Sequence, residues 1–336
     1  MANISAMNFG IGTFAAAGSA PFPGLTVDER VTDLRPHFGE QATVLSLLQD
    51  WERSLARLSE LSETHGVLRA GDLKILPPIS PPGAFLLAGA NYRMHIIEMR
   101  TANAVAQGLD GEQARAEATR QMDERAATGI PFVFAGWPGS VVGAYDDVII
   151  PGDTGVKHDW ELELAVVIGR HARCVPRAKA MDYVAGYTIL NDLSTRDRMH
   201  RSDLRFTDFI ATKGRPGFKP IGPWITPAPF VPEPHDLHIT LSVNGEVMQD
   251  GKTDDMIFHI DRLIEYASGI TDLRPGDIIA TGSPSGNAAE RGGRFLRPGD
   301  VLEGTIEGLG TQRNRCVAAT EVPQGPDFGP AFKPRA

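Results

Sequence analysis

In HDWELELAVVIG, residues 158–169, Glu161 and Glu163 stand two apart in a run of β-prone residues. A strand repeats its side-chain direction every second residue, so the two carboxylates project from one face and Trp160, Leu162 and Leu164 from the other. Two charges ~5–6 Å apart repel by about 3 kcal/mol at an effective dielectric of 20. Either that face is solvated and the pair is an ordinary exposed one, or a cation sits between them. An all-oxygen donor set suits Mg²⁺, Mn²⁺ or Ca²⁺ better than Zn²⁺. Asp192, in GYTILNDLSTRD, offers a third carboxylate just past a β-prone run, where a turn or capping role is equally open. Arg196 and Asp197, close behind it, read as a surface ion pair or as part of a site.

His95 and Glu98, in ANYRMHIIEMR, form a second group. Residues three apart share a helical face, so the carboxylate can hold the imidazole in one tautomer and leave its other nitrogen free to take a proton from water. A surface histidine beside a glutamate is the plainer alternative. Lys213 precedes a Gly- and Pro-rich loop and is either solvated or an oxyanion partner. Thr281 and Gly282, in IIATGSPSG, offer a hydroxyl and a backbone N–H to a ligand, or simply make a turn.

The elements that must position these groups are mostly short strands. From residue 84 onward, β-prone runs alternate with Gly, Pro and Asp turns, and Asn244-Gly245 in LSVNGEVMQDG is the strongest hairpin signal. Two helical stretches interrupt them, at 96–127 and 255–269. Before residue 80, Val44, Leu47, Leu48, Trp51, Leu55 and Leu58 recur at three- and four-residue steps and predict one amphipathic helix. The run ILPPISPPG at 75–83 breaks regular structure and marks a boundary. The expected organisation is an N-terminal domain at 1–80, a catalytic domain at 81–320 and a tail at 321–336.

The 336 residues carry a formal charge of −9, which argues against nucleic acid or an anionic membrane as partner. Two cysteines, Cys174 and Cys316, are too few for a disulfide framework or a thiolate zinc site. The N-terminus lacks a basic start followed by a sustained apolar run, and no stretch approaches a membrane span of ~20 apolar residues. A cytoplasmic protein acting on a small molecule is expected.

The segments GANYRMHIIEM, PFVFAGWPGSVVG, DWELELAVVIG, GYTILNDLSTRD, LRPGDIIATGSPSG and FLRPGDVLEGTIEGLGTQRN, in this order, resemble the fumarylacetoacetate hydrolase family, over roughly residues 84–318. The resemblance implies an α+β, β-rich fold, a mixed β-sandwich roll, here with a smaller N-terminal α/β domain, and a homodimer. It implies a divalent metal, Mg²⁺ with Mn²⁺ or Ca²⁺ as alternatives, held by Glu161, Glu163 and Asp192. The family's His-Glu dyad falls on His95 and Glu98 and its active-site lysine on Lys213. Arg196, Thr281 and Gly282, with Tyr92, Trp137 and Met199, fall at the substrate.

Such proteins cleave C–C bonds of 1,3-diketones and acylpyruvates, decarboxylate oxaloacetate-like acids, isomerise, or dehydrate sugar acids. All stabilise an enolate through a metal chelated by neighbouring substrate oxygens. The complete dyad points to a hydrolase, with water activated by His95 and an enolate leaving group at the metal. A lyase of the same family is the alternative, and a non-catalytic metal-binding member the second. Gly136-Trp137 and Met199 stand where family members often carry Lys and Gln, which predicts a less anionic, bulkier substrate. The segment 101–128 is expected to close over the substrate, or to be a surface insertion or dimer contact.

Overall fold

A computed structural model describes residues 9–63, 66–151, 157–201, 203 and 206–320; the first eight residues and the tail at 321–336 lie outside the described residues. Within them two sheets enclose the main core. The larger has twelve strands, ten of them in the order Leu68–Arg69, Arg30–Asp33, Phe22–Val27, Phe9–Ala15, Lys219–Pro227, Val184–Asn191, Leu162–Ile168, Ile278–Ala280, Phe85–Ala88 and Val133–Ala135. Lys74–Leu76 joins it on Phe9–Ala15, and Val141–Gly143 on Lys219–Pro227. The smaller runs Glu246–Lys252, His238–Val243, Val301–Ile306, Gly310–Ala318 and Val148–Ile150. The fold is therefore α+β and strand-rich.

Leu162–Ile168 is buried along its whole length, because it is covered on both faces. Leu162, Leu164, Val166 and Ile168 share one cluster with Ile239, Leu241, Leu302 and Ile306 of the smaller sheet. Ala165 and Val167, which alternate with them, belong to clusters on the opposite side. The sheets approach closely at Gly304, where a Cβ would lie 2.6 Å from Leu162 Cδ1. Gln312 pins them together, its Nε2 donating to the carbonyls of Ile189, Pro220 and Gly222.

The N-terminal segment adds its strands to the same sheet. Phe9–Ala15 pairs antiparallel with Lys219–Pro227, and Leu47, Leu48, Trp51 and Leu58 share a buried cluster with Val167, Ala185 and Ile225. The larger sheet thus takes strands from both sides of the Pro-rich run.

The amphipathic run at 44–58 is two helices, Val44–Gln49 and Trp51–Leu61, because Asp50 leaves helical geometry at φ −126°, ψ 56°. The 96–127 stretch is likewise a pair, Arg93–Ala106 and Gly111–Thr128, broken where Gly108 takes φ 78° and Asp110 caps the second helix through the Glu112 and Gln113 N–H groups. The stretch expected at 255–269 is the helix Ile260–Ile270, since Asp255 accepts the Met94 N–H instead of entering it. Asn244 and Gly245 take φ 53° and 83°, as a two-residue hairpin turn demands. No helix among the described residues is long and apolar enough to cross a membrane.

Candidate active site

Three carboxylates converge where the central strands end. Leu162 pairs with Asn191, Asp192 N donates to Glu161 O at 2.8 Å, and the Asn191 side chain accepts the Glu161 N–H at 3.0 Å. This register sets the two strand ends side by side. Ligand atoms of Glu161, Glu163 and Asp192 lie within 4.8 Å of one another. Glu163 falls on the same strand face as Ala165 and Val167, opposite Leu162 and Leu164, as the two-residue period requires.

Two of the three acids are compensated. Arg196 bridges Asp159 at 2.7 Å and Glu161 Oε1 at 2.6 Å, and Lys213 Nζ donates to Glu161 Oε2 at 2.5 Å and to Asp192 Oδ2. Lys219, fully buried, places its ammonium 2.8 Å from Asp192 Oδ1 and donates to the carbonyls of Leu193 and Lys213. Burial acts to raise Glu161, but the charges of Arg196 and Lys213 outweigh it and hold the group well below the usual carboxylate range. Glu163 goes the other way, pushed well up by burial and then by Asp192 and Glu161. It accepts the Gly282 N–H at 2.9 Å, and no ion pair reaches it among the described residues. An oxygen-only cluster with one uncompensated carboxylate fits a hard divalent cation.

Glycine is needed at 282. Its φ is 91°, and a Cβ would sit 3.1 Å from Asn91 Cβ and 3.2 Å from the Ala88 carbonyl. Asn91 holds this corner, donating to the carbonyls of Phe258 and Thr281 and accepting the Phe258 N–H.

His95 faces the same cavity, of about 260 Å³, as the three acids, Arg196, Met199, Lys213 and Gly282. Its carboxylate partner is Glu290, 2.7 Å from Nδ1, and not Glu98. A carboxylate only accepts, so Nδ1 carries the proton and Nε2 is left as the basic nitrogen. Burial acts to raise Glu290, yet its bonds from His95 and from the Gly286 and Asn287 N–H groups bring it below the usual range.

Three expected substrate groups lie elsewhere. Thr281 is fully buried with its hydroxyl committed to the Leu164 carbonyl at 3.0 Å. Tyr92 is also fully buried, its phenol raised by burial. Trp137 is 39 % exposed and does not line the cavity. At Gly136 a Cβ would lie 2.6 Å from Leu87 Cδ1 and 2.9 Å from Phe85 Cδ1, so a side chain there needs both to shift. Sequence reasoning missed Asp159, Lys219, Asn91 and Glu290. Asp159 extends the two-residue period backwards from Glu161, and Lys219 interrupts the apolar run FKPIGPW. Either pattern is a readable signal.

The family model described as fumarylacetoacetate (FAA) hydrolase C-terminal matches residues 85–317. A Burkholderia multivorans protein carrying a general hydrolase name is 35% identical over 301 residues, 88% of this chain and 95% of that one. Among solved structures, the fumarylacetoacetate hydrolase of Exiguobacterium antarcticum superposes with a TM-score of 0.73 at 26% identity, covering 93% of this chain and 100% of that one. A probable 2-hydroxyhepta-2,4-diene-1,7-dioate isomerase from Mycobacterium abscessus gives 0.71 at 29% identity, with the same coverage.

Proposed function

Since the chain belongs to the fumarylacetoacetate hydrolase family, we propose that it is a divalent-metal-dependent hydrolase that cleaves a C–C bond in a 1,3-diketone or acylpyruvate-like 2-oxo acid. The observation that carries this reading is the convergence of the three carboxylates and the glutamate-held His95 on one cavity.

Glu161, Glu163 and Asp192 would hold the ion, Mg²⁺ or Mn²⁺. Bound there, it supplies Lewis-acid stabilisation of charge developing on chelating substrate oxygens. His95 Nε2 takes a proton from water as the water oxygen adds to the acyl carbonyl carbon. Glu290 stabilises the imidazolium and fixes its orientation. The ammonium of Lys213 has a third N–H beyond those given to Glu161 and Asp192, which can meet the oxyanion. Thr281 is left out, its hydroxyl being spent on Leu164. The C–C bond then breaks with its electron pair on the 2-oxo acid fragment, and the proton held by His95 returns to that carbon. An acylpyruvate gives a carboxylic acid and a 2-oxo acid, and another 1,3-diketone a carboxylic acid and a ketone. A cytoplasmic homodimer is part of the proposal.

The test is loss of the enol absorbance of acylpyruvates with Mg²⁺ or Mn²⁺, with and without chelator, together with product analysis. We expect metal-dependent loss that falls by about 10²–10⁴-fold in His95→Ala. Full activity in His95→Ala and Glu161→Gln sinks the mechanism. The isomerase relative favours a second reading, proton transfer on an enol by the same His95; a product of unchanged mass selects it.

A further inference from the structure

The cavity has a second kind of wall that the proposed chemistry does not use. Phe134 and Phe209 stack at 4.2 Å between centroids with planes 17° apart, and Phe132 tilts against both at 5.9 and 6.0 Å. All three line the cavity that holds the carboxylates, together with Ile96, Met99 and Met199. Gly89 makes room for them, because a Cβ there would lie 2.7 Å from Phe132 Cδ1. The wall is tied to the reacting end. Phe209 and Lys213 stand four residues apart on the helix Phe209–Lys213, and the Lys213 ammonium lies 5.6 Å from the centre of the Phe134 ring.

Phe132 remains 49 % exposed and Met99 40 % exposed, so a large apolar surface is open beside a polar floor. Among the described lining residues the cations are Arg196 and Lys213, and the floor carboxylates hold both. His95 is held by Glu290. Nothing described in the lining is placed to pair with a second, distal carboxylate on the substrate. Three aromatic side chains line that same space.

Resting on the hydrolase reading, we infer that the natural substrate is a 2,4-dioxo acid whose acyl end carries an aryl group, seated against Phe132, Phe134 and Phe209. The occupant is taken to be substrate because the wall is continuous with the carboxylate floor in one cavity. Aromatic rings supply large contact area at offset or tilted geometry, and each buried apolar carbon group discriminates by ten-fold or more.

The experiment compares kcat/KM for 2,4-dioxo-4-phenylbutanoate, 2,4-dioxopentanoate and 2,4-dioxoheptanedioate in the Mg²⁺-loaded protein. The phenyl compound is expected to exceed both others by about 30-fold or more. The phenyl-to-methyl ratio is expected to drop at least about ten-fold in Phe209→Ala and less in Phe209→Leu; a ratio cancels any general loss of activity. A wild-type ratio near one, preference for the second carboxylate, or a ratio that neither variant moves overturns the inference and leaves the hydrolase reading standing. A change in sedimentation for Phe132→Ala with the ratio unmoved gives the rings to a second copy of the chain, and also overturns it. If none of the three compounds is cleaved, the acylpyruvate form of the hydrolase reading fails. Calorimetric binding then decides the wall: tighter phenyl binding that Phe209→Ala weakens upholds it, and equal affinities overturn it.

Discussion

Glu290 reaches His95 from 195 positions further along the chain, and that distance explains why local spacing chose the wrong partner. On the helix Arg93–Ala106, Glu98 shares a face with His95, but the imidazole turns toward the cavity, where the residues after Ile278–Ala280 arrive. Glu290→Gln is expected to lower kcat by about 10²-fold, because the amide no longer stabilises the imidazolium, while Glu98→Gln stays within about three-fold. Steady-state kinetics on both variants checks this, and the reverse ranking would restore Glu98. Lys219 poses a different question, since it touches Asp192 from outside the cavity. Lys219→Met leaves Asp192 Oδ1 and two carbonyls without their buried cation, and is expected to cost about 3–5 kcal/mol of stability, seen as a lower Tm without any substrate present. The two-residue period set Glu161 beside Glu163 but left Asp192 open to a turn or capping role, and only the ordered run of neighbouring motifs joined the three. Of their cations, Arg196 and Lys213 were singled out in the sequence, though not as partners of these acids, and Lys219 was not, because it arrives from a separate turn of chain.

Elements were legible in kind and less so in their ends. Apolar periodicity found the helical face at 44–58 and composition the stretch at 96–127, yet both are blind to single residues that leave helical geometry, such as Asp50 and Gly108. The start of Ile260–Ile270 shows what sets an end. His235 Nε2 accepts the Ile260 N–H at 3.2 Å, and its ring stacks on His259 at 4.5 Å. Burial first, then His259, holds His235 below its usual value of 6.5, with Asp261 opposing. Below pH 6.5 the unfolded chain therefore binds this proton more readily than the folded one. Its contribution is full above 6.5 and is lost as pH falls toward the depressed folded value. Thermal scans between about pH 7.5 and 5.5 are expected to show a loss of Tm that is smaller in His235→Gln, which keeps an acceptor and cannot titrate. An equal loss in both proteins removes His235 from the account.

At the scale of the whole molecule, one sheet takes strands from both sides of the Pro-rich run at 75–83. Composition marks where a chain bends, but strand pairing between residues 9–15 and 219–227 is a long-range fact that no local pattern carries. The consequence is shared stability. Gly10 lets Trp224 of the neighbouring strand lie flat, since a Cβ there would come within 2.2 Å of Trp224 Cδ1. Gly10→Ala is therefore expected to cost about 1–3 kcal/mol by overpacking, felt by both ends of the chain. Trp51 reports on the N-terminal helices and Trp160 on the main core, so urea unfolding can be read from the fluorine resonance of each in fluorotryptophan-labelled protein, which keeps the indole at 224. Midpoints that agree within about 0.3 M, and that move together in Gly10→Ala, are the outcome of one cooperative unit. A Trp51 transition well below that of Trp160 would show that residues before 80 unfold alone. In that case Ile225, Val167 and Ala185 would have to remain folded with their cover removed, which is the arrangement the shared cluster opposes.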